Sequence, residues 1–315
     1  MQIVWWCLGI AGTAVFLVLL TAFICFMRVF YSPARKPLGP DEFVFPDGEE
    51  YQPYREAMRA WIKAARSLPH EVVEIKAEDG LTLRARYYEY APGAPIEIMF
   101  HGYRGDGERD LSGGIERCFA LGRSILLVDQ RASGISDGRV VTFGIRERKD
   151  CLRWVDYAVS RFGPAVKLIL TGVSMGGATV LMAAGEPLPP NVICVLADCS
   201  FTSPKAIISK VIRDMGLPML LYPFIRLGAR LFGGFDPEET SPLEAVRACA
   251  VPVLFFHGSA DSFVPSAMSE ELFAACPVSQ KRLTLVPGAA HGLAYPVDKE
   301  NYLRVMRETA LEWAL

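Results

Sequence analysis

The chain has 315 residues, of which 51% are apolar and 22% charged, a balance that excludes a disordered or collagen-like polymer and supplies material for a large core. Its 33 Lys and Arg against 35 Asp and Glu leave a net charge of −2, so no basic excess exists to track a phosphate backbone and nucleic acid is not an expected partner. A parallel α/β unit can run past 200 residues as one body, so one large domain plus an appendage is the expected organisation.

The appendage comes first. From Gln2 to Met27 there is no Asp, Glu, Lys, Arg or His, and the run exceeds the roughly 20 apolar residues that cross a bilayer's hydrocarbon layer. No Lys or Arg precedes it and no small-residue cleavage site follows, so residues 1–31 read as a transmembrane anchor in contact with membrane lipid rather than a cleaved signal. Arg28, Arg35 and Lys36 all follow the span, which places the body on the cytoplasmic side. Cys118, Cys151, Cys194, Cys199, Cys249 and Cys276 are scattered through the body without paired metal-ligand spacing, as expected of reduced thiols in a cytosol.

Residues 32–53 are rich in Pro, Gly and charge and read as a linker, leaving 54–315 as the body. Met58, Trp61, Ile62 and Ala65 have helical spacing, and Pro69 stops that helix. The runs EVVEIKA and LTLRARYYEY, joined by Glu78-Asp79-Gly80, predict a hairpin. Apolar runs then alternate with helical ones: IEIMF, SILLVDQ, VKLIL, VICVLA, VPVLFFHG and RLTLVPG each precede a helical pattern or an insertion. That alternation is the mark of a mostly parallel sheet in an α/β fold.

The pattern G-x-S-x-G occurs twice. At Gly134 to Gly138, around Ser136, no strand leads in and no helix leaves, so this copy reads as a loop. At Gly172 to Gly176 the strand VKLIL enters and the small-residue helix GGATVLMAA leaves, which is the strand, turn and helix of a nucleophile elbow around Ser174. A serine hydroxyl needs a base to take its proton. Of the four histidines, His70 lies far upstream and reads as a surface residue, and His101 and His257 each end a strand in a His-Gly pair suited to a structural hydrogen bond. His291, in the small-residue loop PGAAHGLA after the last strand, is the expected base. Asp261 in HGSADSFVP is the expected partner of His291, with Asp198 at the end of VICVLAD as the competing carboxylate. The backbone N–H groups of Met175 and Tyr103 are the expected oxyanion donors.

Taken in order, HGYRG, DQRASGISDG, GVSMGG, ADCSFTSP, HGSADSFVP and PGAAH resemble the α/β-hydrolase superfamily over roughly residues 70–315. The resemblance implies that Asp129, Arg131 and Ser136 are scaffold, and that the insertion at about 200–249 is a helical lid. The lid sequence is dense in Leu, Ile, Met and Phe, and Lys205, Lys210, Arg213, Arg226 and Arg230 against Asp214 give it a local charge of +4. It could line an acyl pocket and rest on anionic headgroups, or simply bury its own apolar face. The expectation is a membrane-anchored serine hydrolase that cleaves a carboxylic ester or thioester of small-molecule or lipid-like character through an acyl-enzyme, with no metal or organic cofactor. Acyl transfer or peptide cleavage by the same residues, and a non-catalytic binding module, are the alternatives.

Overall fold

The computed structural model describes residues 1–33 and 38–314. Helix α1 (Gln2–Val29) is predominantly apolar up to Arg28 in its last turn and is followed, after residues 34–37, by a short 3-10 turn at Glu49–Tyr54 and helix α2 (Arg55–Ser67). Arg35 and Lys36, two of the three charges expected to orient the span, lie outside the described residues. In α2 the expected residues Met58, Trp61, Ile62 and Ala65 form the buried stripe, because positions i, i+3, i+4 and i+7 share one helix face.

The sheet has eight strands: β1 (Glu71–Lys76), β2 (Thr82–Tyr88), β3 (Ile96–Phe100), β4 (Ser124–Asp129), β5 (Leu168–Val173), β6 (Val192–Asp198), β7 (Val253–Gly258) and β8 (Lys281–Val286). Their spatial order is β1-β2-β4-β3-β5-β6-β7-β8. The hairpin β1–β2 is antiparallel, β2 pairs antiparallel with β4, and every pairing from β4 to β8 is parallel. Strands β3, β4 and β7 are buried at every residue, which is why their sequences are continuous apolar runs rather than alternating ones.

Helices α3 (Gly107–Ala120), α4 (Glu147–Phe162) and α5 (Met175–Ala184) cross between these strands, and all ten residues of α5 are buried. Between β6 and β7 lies the expected helical insertion: α6 (Pro204–Asp214), α7 (Leu221–Gly228), one π-helical turn at Ala229–Gly233, and α8 (Pro242–Val246). Ser203 and Ser241 start α6 and α8 by accepting backbone N–H bonds, each followed by Pro at the first helical position. Helices α9 (Ala267–Ala275), α10 (Ala294–Val297) and α11 (Lys299–Glu312) complete the chain.

Packing crosses the boundary expected at residue 31. Ala22 is buried, and Phe26 and Phe30 of α1 and its exit are buried against the insertion and the body, in one cluster with Phe143, Ile145, Tyr222, Ile225 and Phe235. Phe30 meets Phe143 and Phe235 edge-on at 5.8 and 5.1 Å between ring centroids. At Gly228 a Cβ would fall on the Ala22 carbonyl oxygen, so the absence of a side chain there lets α7 approach α1 closely. The remainder of α1, from Gln2 to Leu20, is exposed to its surroundings, in keeping with a helix long and apolar enough to cross a membrane.

Candidate active site

The turn from β5 into α5 places Ser174 at φ 56° and ψ −114°, a conformation that L residues rarely adopt. It is held from both sides: Ser174 N donates to Asp198 O at 2.8 Å, and Ala178 N donates to Ser174 O at 3.0 Å. The flanking glycines are required by close approach, since a Cβ on Gly172 would strike the Gly176 backbone and one on Gly176 would strike the Phe100 carbonyl.

His291, in the loop after β8, reaches over the sheet edge with Nε2 2.9 Å from Ser174 Oγ and Nδ1 2.7 Å from Asp261 Oδ2. Asp261, in the loop after β7, accepts Phe263 N and Val264 N on Oδ1 at 2.9 and 2.8 Å. Its Oδ2 lies 3.2 Å from His257 Nε2. Burial would raise the Asp261 carboxyl, but hydrogen bonds from His257 and His291 outweigh it and hold it at about 2. An ionised Oδ2 requires the His291 proton on Nδ1, which leaves Nε2 as the acceptor facing the serine hydroxyl.

The three residues expected to act together are thus brought together, and the competing carboxylate is not. Asp198 Oδ2 accepts the Tyr302 hydroxyl at 3.1 Å instead. His101 is buried, with Nδ1 2.8 Å from Gly102 O and Nε2 accepting Gln130 N at 3.0 Å, the structural role expected of it. His70 is exposed, as expected. The role of His257 was only partly legible: it bonds Val264 O at 2.8 Å and Ser269 Oγ at 2.7 Å, and it also touches Asp261. Burial works to lower its pKa, but the bond to Asp261 carries it above the ordinary histidine value. The signal was present as a histidine four residues before the acid in HGSAD.

Met175 opens α5, where a backbone N–H has no intrahelical acceptor, and Tyr103 lies in the loop after β3 and borders the same cavity as Ser174. The G-x-S-x-G around Ser136 forms a clasp beside β4. Ser136 Oγ donates to Asp129 O at 2.5 Å and accepts Arg84 N at 2.7 Å, while Asp129 Oδ1 accepts Gly107 N at 2.7 Å. Arg131 donates twice to Asp150, at 2.6 and 2.7 Å.

A cavity of about 220 Å³ opens beside Ser174 and His291. None of the residues that line it comes from the helical insertion. Its walls come from Tyr51 and Trp61 before the first strand, from α3, and from Tyr295 and Tyr302 after the last strand. Leu220 is exposed, and the inward face of α7 is occupied by α1. Tyr51, placed in the expected linker, donates its hydroxyl to His291 O at 2.9 Å. All eight cysteines are free, and the six in the body are buried, where desolvation holds Cys118, Cys151 and Cys194 as thiols.

Residues 240–298, which contain Asp261 and His291, match the family model described as serine aminopeptidase, S33. The chain is 26% identical over 190 residues to the protein YqkD of Bacillus subtilis, a match covering 60% of this chain and 62%, less than two thirds, of that relative. It is 24% identical over 290 residues to the protein bem46 of Schizosaccharomyces pombe, covering 90% of this chain and 86% of that one. Among solved structures, the Pyrococcus furiosus esterase Pf2001 superposes with a TM-score of 0.64 at 21% identity, over 86% of this chain and 97% of the esterase. The strand order, the elbow and the superposition on the esterase show the α/β-hydrolase fold, and the family model and the relatives are in keeping with it.

Proposed function

We propose that the protein is a membrane-anchored serine hydrolase that opens a carboxylic ester or thioester through an acyl-enzyme. The observation that carries this reading is the unbroken line from Asp261 Oδ2 through the His291 ring to Ser174 Oγ, at 2.7 and 2.9 Å, at the mouth of a cavity. Ser174 Oγ attacks the acyl carbon while its proton passes to His291 Nε2. The carbonyl oxygen, now negative, is received by the N–H groups of Met175 and Tyr103, and the N-terminus of α5 adds positive potential there. As the C–O or C–S bond breaks, His291 returns the proton to the leaving oxygen or sulfur. A water then repeats the sequence on the acyl-enzyme and releases the acid. Asp261 stays ionised throughout and stabilises the imidazolium.

Anchoring is supported by α1, with its long exposed apolar stretch, and Arg28 after the span supports a cytoplasmic body. The substrate in this reading is a small-molecule or lipid-like acyl ester, as the superposition on an esterase suggests. A second reading, cleavage of aminoacyl amides, is favoured by the serine aminopeptidase model over residues 240–298. The test uses the full chain in detergent micelles against 4-nitrophenyl esters, acyl thioesters and aminoacyl amides, with Ser174→Ala as the control. Turnover of esters or thioesters above amides, abolished by Ser174→Ala, is the expected result. Turnover of amides alone would favour the second reading, and no turnover of any would reject both.

A further inference from the structure

The helical insertion carries an apolar surface that its own core does not use. Between α6 and α7 every residue from Arg213 to Leu220 is exposed, and Met215, Leu217, Met219 and Leu220 stand among them, Leu220 at 71%. After α7, in the π-helical turn, Leu231 is 53% exposed and Phe232 42%. Elsewhere on the body exposed large apolar residues stand singly in the chain, as at Val72, Tyr90 and Leu285, and call for no partner. The loop before α7 is tightly built. Leu217 N donates to Ile212 O at 3.0 Å, Gly216 takes φ 66°, and Leu221 N donates to Pro218 O at 3.0 Å. Its apolar side chains therefore point outward from a fixed backbone, and they do not cover the reaction cavity, which no residue of the insertion lines.

What lies beside this surface is α1. Phe232 meets Phe23 edge-on at 5.2 Å and Phe26 at 5.9 Å, and Gly228 at the end of α7 fits against Ala22. Exposed apolar residues on α1 run from Ile3 to Ile24. At the rise of an α-helix that stretch is about 33 Å long, close to the roughly 30 Å of a bilayer's hydrocarbon layer. Trp5 and Trp6, both exposed, stand where one interface would hold them. The other interface then falls about 20 residues further on, near Ile24, with Arg28 just beyond it among the headgroups. Phe23 and Phe26 lie at that level, so Phe232 is brought to the hydrocarbon boundary, and α7 with its two exposed ends packs beside it. We propose that these two ends form a foot that rests in the bilayer interface next to α1, with Met219, Leu220, Leu231 and Phe232 against the acyl chains; this rests on reading α1 as a membrane span. The foot adjoins Phe23, a residue of α1 that would itself face lipid, so one solvent covers both. Charge fits the same surface. Arg28, Arg213 and Arg230 are exposed and suit lipid phosphates, while their stems extend the apolar area. The acid of the loop, Asp214, is paired with Lys210.

The experiment reads depth with nitroxide labels on the full chain in vesicles of phosphatidylcholine and phosphatidylglycerol. Cys7→Ser and Cys25→Ala remove the two cysteines that are not buried, and the six buried in the body stay unlabelled. Single labels are then attached through Leu17→Cys, Val72→Cys, Leu220→Cys and Leu231→Cys, all at exposed positions whose replacement leaves the core intact. Power saturation against dissolved oxygen and against a water-soluble nickel chelate gives the depth of each label. The labels at Leu220 and Leu231 are expected about 5 to 10 Å into the boundary between headgroups and acyl chains, with the label at Leu17 deeper and the one at Val72 in water. If the label at Leu17 is in lipid while either foot label is as open to nickel as the one at Val72, the foot is rejected and the span stands. A label at Leu17 that is open to nickel rejects the span, and the foot with it. Foot labels shielded from both reagents and broadened by spin–spin contact would put a second copy of the chain on this face, which also overturns the proposal.

Discussion

The Tyr103 hydroxyl donates to the Val29 carbonyl at 2.6 Å, so the residue whose backbone N–H is proposed to face the oxyanion is fastened to the last turn of α1. Arg104 strengthens the connection by donating to the carbonyls of Arg28 and Tyr31, each at 2.8 Å. The carbonyls of Arg28 and Val29 are among those a helix leaves unsatisfied at its C-terminal end, and Tyr31 lies just beyond it. Tyr103→Phe keeps the ring against Phe143, 4.9 Å away, and removes only the hydroxyl. We expect kcat to fall about fivefold, the worth of one neutral hydrogen bond spent on positioning, with KM little changed. Steady-state kinetics that show an unchanged kcat would make the contact irrelevant to catalysis.

Removal of residues 1–31 strips the cover from Phe143, Ile225 and Phe235. The truncated body is therefore expected to melt at lower temperature than the full chain and to self-associate, as shown by thermal unfolding and light scattering. Gly228→Val should lower the melting temperature of the full chain but not of the truncated one, because the clash is with Ala22. Equal effects in both would place the cost of the valine within the insertion itself.

Acid should weaken the fold through two buried carboxylates. Burial would raise Glu97, but the charges of Arg117 and Arg123 hold it at about 2 against an ordinary 4.5, while Asp261 is held at about 2 against 3.8. A depressed carboxyl contributes stability that is present above its unfolded pKa and lost as pH falls through the folded one. Each should contribute roughly 2 to 3 kcal/mol. Denaturant midpoints are expected to hold steady above about pH 5 and to fall between 4.5 and 2. Glu97→Gln, which leaves Arg117 buried without its counter-charge, should lower the plateau and flatten the decline.

Ser174→Ala should abolish labelling by a fluorophosphonate probe, and His291→Ala should cut turnover by about 10³ or more. Ser136→Ala should still label, yet unfold more easily, since it loses bonds to Asp129 O and Arg84 N. The reverse labelling pattern would move the nucleophile to Ser136.

Trp61→Ala should raise KM for esters with a bulky acyl or leaving group more than for a small acetate, because Trp61 lines the cavity. Leu220→Asp should leave that comparison unaltered, since Leu220 is exposed. A change in ester preference with Leu220→Asp would return a substrate-lining role to the insertion.

What could be read from sequence and what could not divide along one physical line. The elbow is local: an entering strand, two glycines and a departing helix lie within about a dozen residues, so their pattern alone located Ser174. Asp261 and His291 were legible because each follows a strand whose apolar run marks where its loop must emerge. The cavity is not local. Tyr51 meets His291 across 240 residues, and no periodicity records that two segments outside the sheet's sequence limits will share a wall. The same holds for α7: its apolar face was plain, but the partner that covers it, α1, had already been explained by lipid.

The close fit of Gly228 on Ala22 also bears on how a bilayer would present the proposed hydrolase. An anchor joined only through a flexible linker raises local concentration and leaves orientation to chance. Here α7 rides directly on α1, and Phe232 of the π-helical turn meets Phe23 edge-on at 5.2 Å, so the tilt of the proposed span would set the tilt of the body. The mouth of the cavity would then stand at one height and bearing above the lipid, and encounters with membrane-borne esters would be a matter of lateral diffusion rather than tumbling.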